Sequence, residues 1–408
     1  MNRKLISQTL NEWRANLWLA VELLIVSVIV WYAIDFCYVK ILDYSSPLGF
    51  EIDHTYKIKV DEISENSPEY VDRDSEGHIA DKLELIDRIR HRPDVECASW
   101  SNFAHPYNYN LSYHQYHVDT IKTQGNVFRR KSDPDFFKVF RIRGINGETS
   151  DELAAMFRER GVVISSNLFD DAIDARTLIG DSIYSHSDRA IAVGAVISPM
   201  KMSEYSLSIY GCKTVIESDK IERMNDLCVR VHANMDHDFI GKFMADADRH
   251  YRVGNLYIGS VTSFDSLRDF FNSESEREVI MMVTAILFLL VNIFLGLFGT
   301  FWFRTQQRVS EIAIRKVNGA TYSDIFRRSI GEGIVILSVV TPIALGMDAA
   351  LASHEFNEMY EDSFFSWDRF MICASITYTV IAIMIVLGIS IPAFRAMRLQ
   401  PSEALHDE

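Results

Sequence analysis

Four stretches of this chain are almost wholly apolar, and each is long enough to cross a lipid bilayer. A spanning helix needs roughly 20 consecutive, mostly apolar residues. Residues 17–39, 279–303, 330–352 and 370–391 meet that need. The third holds Pro342 and Asp348, and a proline is tolerated in a membrane helix where neighbours satisfy the freed backbone groups. The first stretch exceeds the roughly 7–15 apolar residues of a signal peptide, and no small-x-small cleavage site follows it, so it reads as an uncleaved anchor. The overall hydrophobic fraction of 48% conceals this division: the rest of the chain has the composition of an acidic soluble domain.

The charges between these stretches set an orientation. Lys and Arg are enriched in cytoplasmic loops. The N-terminal tail carries Arg3, Lys4 and Arg14 against Glu12, and the loop after the second stretch carries Arg304, Arg308, Arg315, Lys316, Arg327 and Arg328. The loop after the third carries Glu355, Glu358, Glu361, Asp362 and Asp368, opposed only by Arg369. Both termini are therefore expected in the cytoplasm and residues 40–276 outside it. Net charge is −15, with most of the acid in the external part, which argues against nucleic acid as a partner.

The predicted architecture is a membrane α-helical chain with four transmembrane helices and a large extracytoplasmic α/β (α+β) domain of two subdomains. Residues 1–16 place Leu5, Ile6, Thr9, Leu10 and Trp13 at helical spacing, as in an amphipathic helix on the membrane surface. Outside, a strand–helix–strand pattern occurs twice. The first copy is residues 55–60, 79–91 and 95–103; the second is 226–232, 236–250 and 255–261. Residues 50–103 and 221–263 thus form one split subdomain, and 104–220 an inserted one with strand-like runs at 118–122, 161–165 and 190–198. Residues 264–278 form a helical stalk that enters the second span without a proline or glycine break. Residues 304–329 are a cytoplasmic segment, 353–369 a short external loop and 392–408 a cytoplasmic tail.

The segment after the second span carries the most information. Ile312, Ile314 and Val317 give it an apolar side, Gly319 suits a helix C-terminus, and Thr321 with Asp324 forms an N-cap pattern for the next helix. A short helix bracketed by turns suits docking to a cytoplasmic partner; a basic loop held by anionic headgroups is the plainer alternative.

Arg308-x-x-Glu311-Ile312-x-Ile314-Arg315-Lys316-x-x-Gly319-Ala320-Thr321 resembles the signature of the FtsX-like permease family, which includes MacB-type exporters. The run from Ile391-Pro392-Ala393 through Arg395-Ala396, Arg398-Leu399, Pro401 and Glu403-Ala404-Leu405 is similar to that family's ending. Looser matches to the MacB-type periplasmic core lie at Asp133-Pro-Asp-Phe-Phe, Val162-Val-Ile-Ser, Leu178-Ile-Gly-Asp-Ser-Ile and Ala192-Val-Gly-Ala-Val-Ile. Asn318 departs from the family, which more often has an apolar or small residue there. The resemblance implies a bacterial inner-membrane permease that docks an ABC ATPase through Arg308, Glu311, Ile312, Arg315, Lys316, Gly319, Ala320 and Asp324. It implies a dimer with a second copy or a paralogue, contacts with membrane lipids and a periplasmic adaptor. Its motion would pass through the stalk to the periplasmic domain rather than by threading substrate between the spans.

The chain has no G-x-x-x-x-G-K-[ST] motif, so ATP hydrolysis is expected in a separate subunit, with no cofactor or metal in this chain. Ser198-x-x-Lys201 lacks the companion motifs of penicillin-binding proteins, and His354-Glu355-x-x-Glu358 lacks the second histidine of a zinc helix. His114-x-x-His117 near His105 has no third ligand at suitable spacing. Glu22 and Asp348 are the intramembrane candidates, with Asp35 beside them, since ionisable residues in spans are rare and usually functional; snorkelling to the interface is the alternative. A Cys212–Cys228 bridge is chemically permitted outside the cytoplasm, with three free buried thiols as the plainer reading. A membrane-anchored sensor or scaffold without transport activity is the competing function, although the cytoplasmic pieces are short for an output domain.

Overall fold

The computed structural model describes residues 13–108, 112–125, 127–185, 187–205, 213–307, 314, 317–357 and 365–398. The amphipathic 1–16 segment falls mostly outside them, as do Arg308, Glu311, Ile312, Arg315, Lys316 and Cys212. The chain divides into two compact units, residues 43–275 and the remainder.

The external domain is built on one mixed sheet. Its strands are β1 (Thr55–Glu62), β2 (Val95–Asn102), β3 (Tyr113–His114), β6 (Val127–Ser132), β7 (Val162–Ser165), β10 (Ala195–Ile197), β11 (Thr214–Ser218), β12 (Asp226–Val231) and β13 (Leu256–Ser263). The order is β10-β7-β11-β6-β2-β12-β1-β13, with β3 on β6. The split and inserted subdomains are the two halves of this sheet. Their seam is short: Ser101 pairs with Ser132 and Asn102 with Lys131. The inserted half uses parallel pairing of β11 with β6 and of β10 with β7. A second, four-stranded sheet joins β4 (Tyr116–Val118), β5 (Ile121–Lys122), β8 (Ser182–Ser185) and β9 (Ala190–Ala192).

Both faces of the central strands are covered, so β7 and β12 alternate between cores, whereas the edge strand β13 alternates between core and water. On β12, Leu227, Val229 and Val231 join one core and Cys228 the other. The first core is roofed by α2 (Ser75–Arg90) through Leu85, Ile86 and Ile89, and by α5 (Phe239–His250) through Phe239, Phe243 and Ala247. The second gathers Phe136, Phe137 and Val139 of α3 (Phe136–Val139), Phe140, and Leu153 and Phe157 of α4 (Ser150–Arg160). The Asp74 side chain accepts from the Gly77 amide at the start of α2, and a Thr149/Glu152 capping box starts α4.

Two runs expected as single strands are broken. Residues 118–122 form a hairpin, with Asp119 at φ +50° in the turn, a conformation aspartate tolerates better than most residues. Residues 190–198 split at Val193-Gly194, so β9 and β10 lie in different sheets. At this break a Cβ on Gly194 would stand 3.2 Å from the carbonyl oxygens of Met156 and Val162. The second helix begins at Phe239 rather than 236. Asp238 has φ +58°, and the Asp236 side chain is engaged by His54 and Tyr56.

The other unit holds α1 (Trp13–Ser45), most of α6 (Phe264–Gln307), α7 (Tyr322–Ser353) and α8 (Trp367–Arg398). All four are long and apolar enough to cross a membrane. Their shared core includes Leu19 and Leu23 of α1, Ile293 of α6, Ile336 and Val340 of α7, and Ile381 and Ile385 of α8. Pro342 lies inside α7; in the preceding turn the Ser338 and Thr341 hydroxyls donate to the Ile334 and Leu337 carbonyls.

Candidate functional sites

The root of α6 is part of the external domain's core. Phe264 is fully buried against Phe140 and His105, and Leu267 and Phe271 pack on the same cluster. One turn on, the Asn272 amide donates to Glu204 Oε2 at 2.5 Å, while the Tyr107 hydroxyl donates to Glu204 Oε1 at 2.9 Å. Burial, then the Glu204 charge, raises the Tyr107 hydroxyl's pKa, so it stays a donor. Lys201 extends the tie: its ammonium donates to Ser46 Oγ at 2.8 Å and to the Asp43 and Glu204 carbonyls. Lys201 is therefore a structural cross-link rather than half of a catalytic Ser–Lys pair. From Phe264 to Gln307, α6 is a single helix of 44 residues, root included.

Within the helix unit, polar groups meet where the sequence offered isolated charges. Asp35 on α1 and Arg369 on α8 are 1% and 6% exposed, so Asp35 does not snorkel. Arg369 Nε donates to Asp35 Oδ1 at 2.7 Å, its Nη2 donates to Oδ2, and the Asn357 amide reaches Oδ2 at 3.2 Å. Such a two-pronged guanidinium–carboxylate pair fixes geometry as well as charge. Asp348 on α7 is also fully buried, and neither of its carboxyl oxygens has a partner among the described residues. Glu22 is half-buried on α1 against Gly296 of α6, where a Cβ would stand 2.3 Å from Glu22 Oε1.

Of the proposed coupling residues, Gly319, Ala320 and Asp324 are described. Gly319 has φ +91°, the left-handed region that glycine enters without strain. Thr321 and Asp324 form a reciprocal capping box for α7: the Asp324 amide donates to Thr321 Oγ1 at 3.3 Å, and the Thr321 amide donates to Asp324 Oδ2 at 3.0 Å. The turn and restart of the chain after α6 are therefore built as the residue types dictate.

The histidines do not converge. His105 is buried, with Nε2 2.8 Å from Lys57 and 3.5 Å from Asp226. Burial pushes the Asp226 carboxyl up, but His105 and Lys57 outweigh it and hold it well below the usual carboxylate range. His117 stacks on Tyr184 and bonds Asp188, and His114 lies beside Arg129. Among the described residues no group of three or more His, Cys, Asp or Glu is placed to hold a metal. Cys97 and Cys228 are free thiols, and burial pushes Cys97 up to about 12 and Cys228 higher still, so both are inert packing residues.

No family model matches this sequence, and no curated protein does. Solved structures do. One is the extracellular domain of the noncanonic ABC-type transporter YknZ from Gram-positive bacteria, 10% identical, with 50% of this chain and 98% of that chain covered at a TM-score of 0.29. Another is the periplasmic region of MacB from Actinobacillus actinomycetemcomitans, 8% identical, with 55% of this chain and 94% of that chain covered at a TM-score of 0.31. This chain has four apolar helices and a mixed α/β domain whose core holds the first turns of one of those helices.

Proposed function

We propose that this chain is the membrane-spanning permease subunit of an ABC-type machine. A separate ATPase subunit binds the cytoplasmic segment 304–329, and ATP-driven motion passes along α6 to the external domain, for export or for handling a substrate outside the cytoplasm. The observation that carries this reading is α6. A helix rises about 1.5 Å per residue, and this one runs unbroken from the buried Phe264 through the apolar stretch 279–303. A helix clamped at its root by Phe264, Phe271 and Asn272 and unbroken by proline is suited to pass an axial displacement on. The charge pattern of the loops supports a bacterial inner-membrane location with both termini cytoplasmic. A second copy or a paralogue would complete the membrane assembly.

Affinity purification of the full chain from native membranes, followed by mass spectrometry, tests the partner. The expected result is an ABC ATPase recovered in near-stoichiometric amount. A preparation that retains the chain's other membrane partners but contains no ATPase, or one dominated by a histidine kinase, would contradict the proposal.

A further inference from the structure

One cleft has the opposite sign to the acidic domain around it. It lies between the C-terminal turn of α2 and the side of α5 and has a volume of about 900 Å³, within the usual range for small-molecule sites. Its two carboxylates are already engaged. Arg92 Nε donates to Asp94 Oδ1 at 2.7 Å and Arg92 Nη1 to Asp246 Oδ2 at 2.8 Å, with the guanidinium held over the Phe243 ring. The remaining cations keep donors to spare. Arg249 has no hydrogen bond or ion pair among the described residues, and the Lys242 ammonium donates only to the His237 carbonyl, at 2.7 Å.

Helix electrostatics account for part of this charge. Cations are favoured in a helix's last turn and disfavoured in its first. Arg88 and Arg249 sit in last turns, but Arg88 is paired with Glu84 and donates to the His250 and Arg252 carbonyls, which leaves Lys242 and Arg249 as the cleft's available cations. Lys242 is in the first turn of α5, where the helix dipole opposes it, so that account does not reach it. Met235 and Pro93 supply apolar wall.

We propose that this cleft binds a small organic polyanion, whose carboxylate or phosphate groups meet Lys242 and Arg249 while its carbon skeleton lies against Met235 and Pro93. Ionised acceptors make the stronger hydrogen bonds with such donors, and a positive cleft in a negative surface concentrates anions locally.

The test is calorimetric titration of the full chain in nanodiscs of zwitterionic lipid at low ionic strength, with citrate and, separately, pyrophosphate as probes. Saturable binding of at least one probe, one per chain, is expected. Lys242→Gln with Arg249→Gln should weaken it tenfold or more. Lys59→Gln with Arg176→Gln removes the same charge elsewhere on the domain and should change it less than twofold. All four side chains are exposed, and circular dichroism checks that each variant folds. Binding of one probe and not the other assigns the ligand to the carboxylate or the phosphate class. Absence of saturable binding by both probes, or equal weakening in the two double variants, overturns the site.

Discussion

Arg369→Leu is expected to destabilise the helix unit by about 3–5 kcal/mol, the usual cost of leaving one member of a buried ion pair without its partner. Asp35 would keep the Asn357 amide at 3.2 Å but lose both guanidinium bonds while only 1% exposed. Water cannot replace them without opening α1 from α8. Asp35→Leu should cost a similar amount, since it strands the arginine. The double variant Asp35→Leu with Arg369→Leu should recover most of the loss, because two apolar groups of similar size leave no charge to solvate. Thermal unfolding in detergent, followed by tryptophan fluorescence, gives the three midpoints. A double variant no more stable than either single one would show that shape rather than charge holds α1 to α8.

Reversing the pair Glu311→Arg with Arg315→Glu is expected to reduce ATPase co-purification tenfold or more while leaving the chain inserted. Four residues apart on a helix, the two side chains share a face. The loop keeps its net charge, so the positive-inside signal does not change. The pattern offered to a partner is inverted, and like charges brought together across an interface cost several kcal/mol, where 1.4 kcal/mol is already tenfold in affinity. Accessibility of cysteines placed at Asn110 and at Ser310 checks topology in the same variant. Wild-type recovery of the ATPase by the reversed chain would remove this segment as the dock.

The four spans were legible in the sequence because the bilayer demands an apolar run that little else produces. The two strand–helix–strand units were legible because apolar residues at helical spacing, Leu83, Ile86 and Ile89 in the first and Phe239, Phe243, Met244 and Ala247 in the second, lie between short strands. Leu83 and Met244 are nevertheless exposed, and Leu85 takes the buried place in the first helix. What joins the halves was not. Ser101, Asn102, Lys131 and Ser132 form the seam, and nothing in four polar residues specifies which strand they pair with. The break at Gly194 was hidden because both pieces of the run are apolar, and a sharp bend leaves no periodicity signal. Arg369 was read as a loop charge because its partner is 334 residues away. The available signal was Asp35 itself: a carboxylate in a span needs a cation, and Arg369 is the one cation between the third and fourth spans.

The proposed function requires α6 to transmit motion. Inserting Gly-Ser-Gly-Ser between Ser275 and Glu276 leaves the root at Phe264, Phe271 and Asn272 intact and keeps both flanking sequences, but replaces a stiff helix with a flexible joint. Hydrogen exchange across residues 43–275, compared with and without ATP in the purified complex with its ATPase, reads the outcome directly. The unmodified chain is expected to show an ATP-dependent change in exchange, and the inserted chain, with its ATPase still bound and turning over, none. An undiminished ATP-dependent change in the inserted chain would contradict the account.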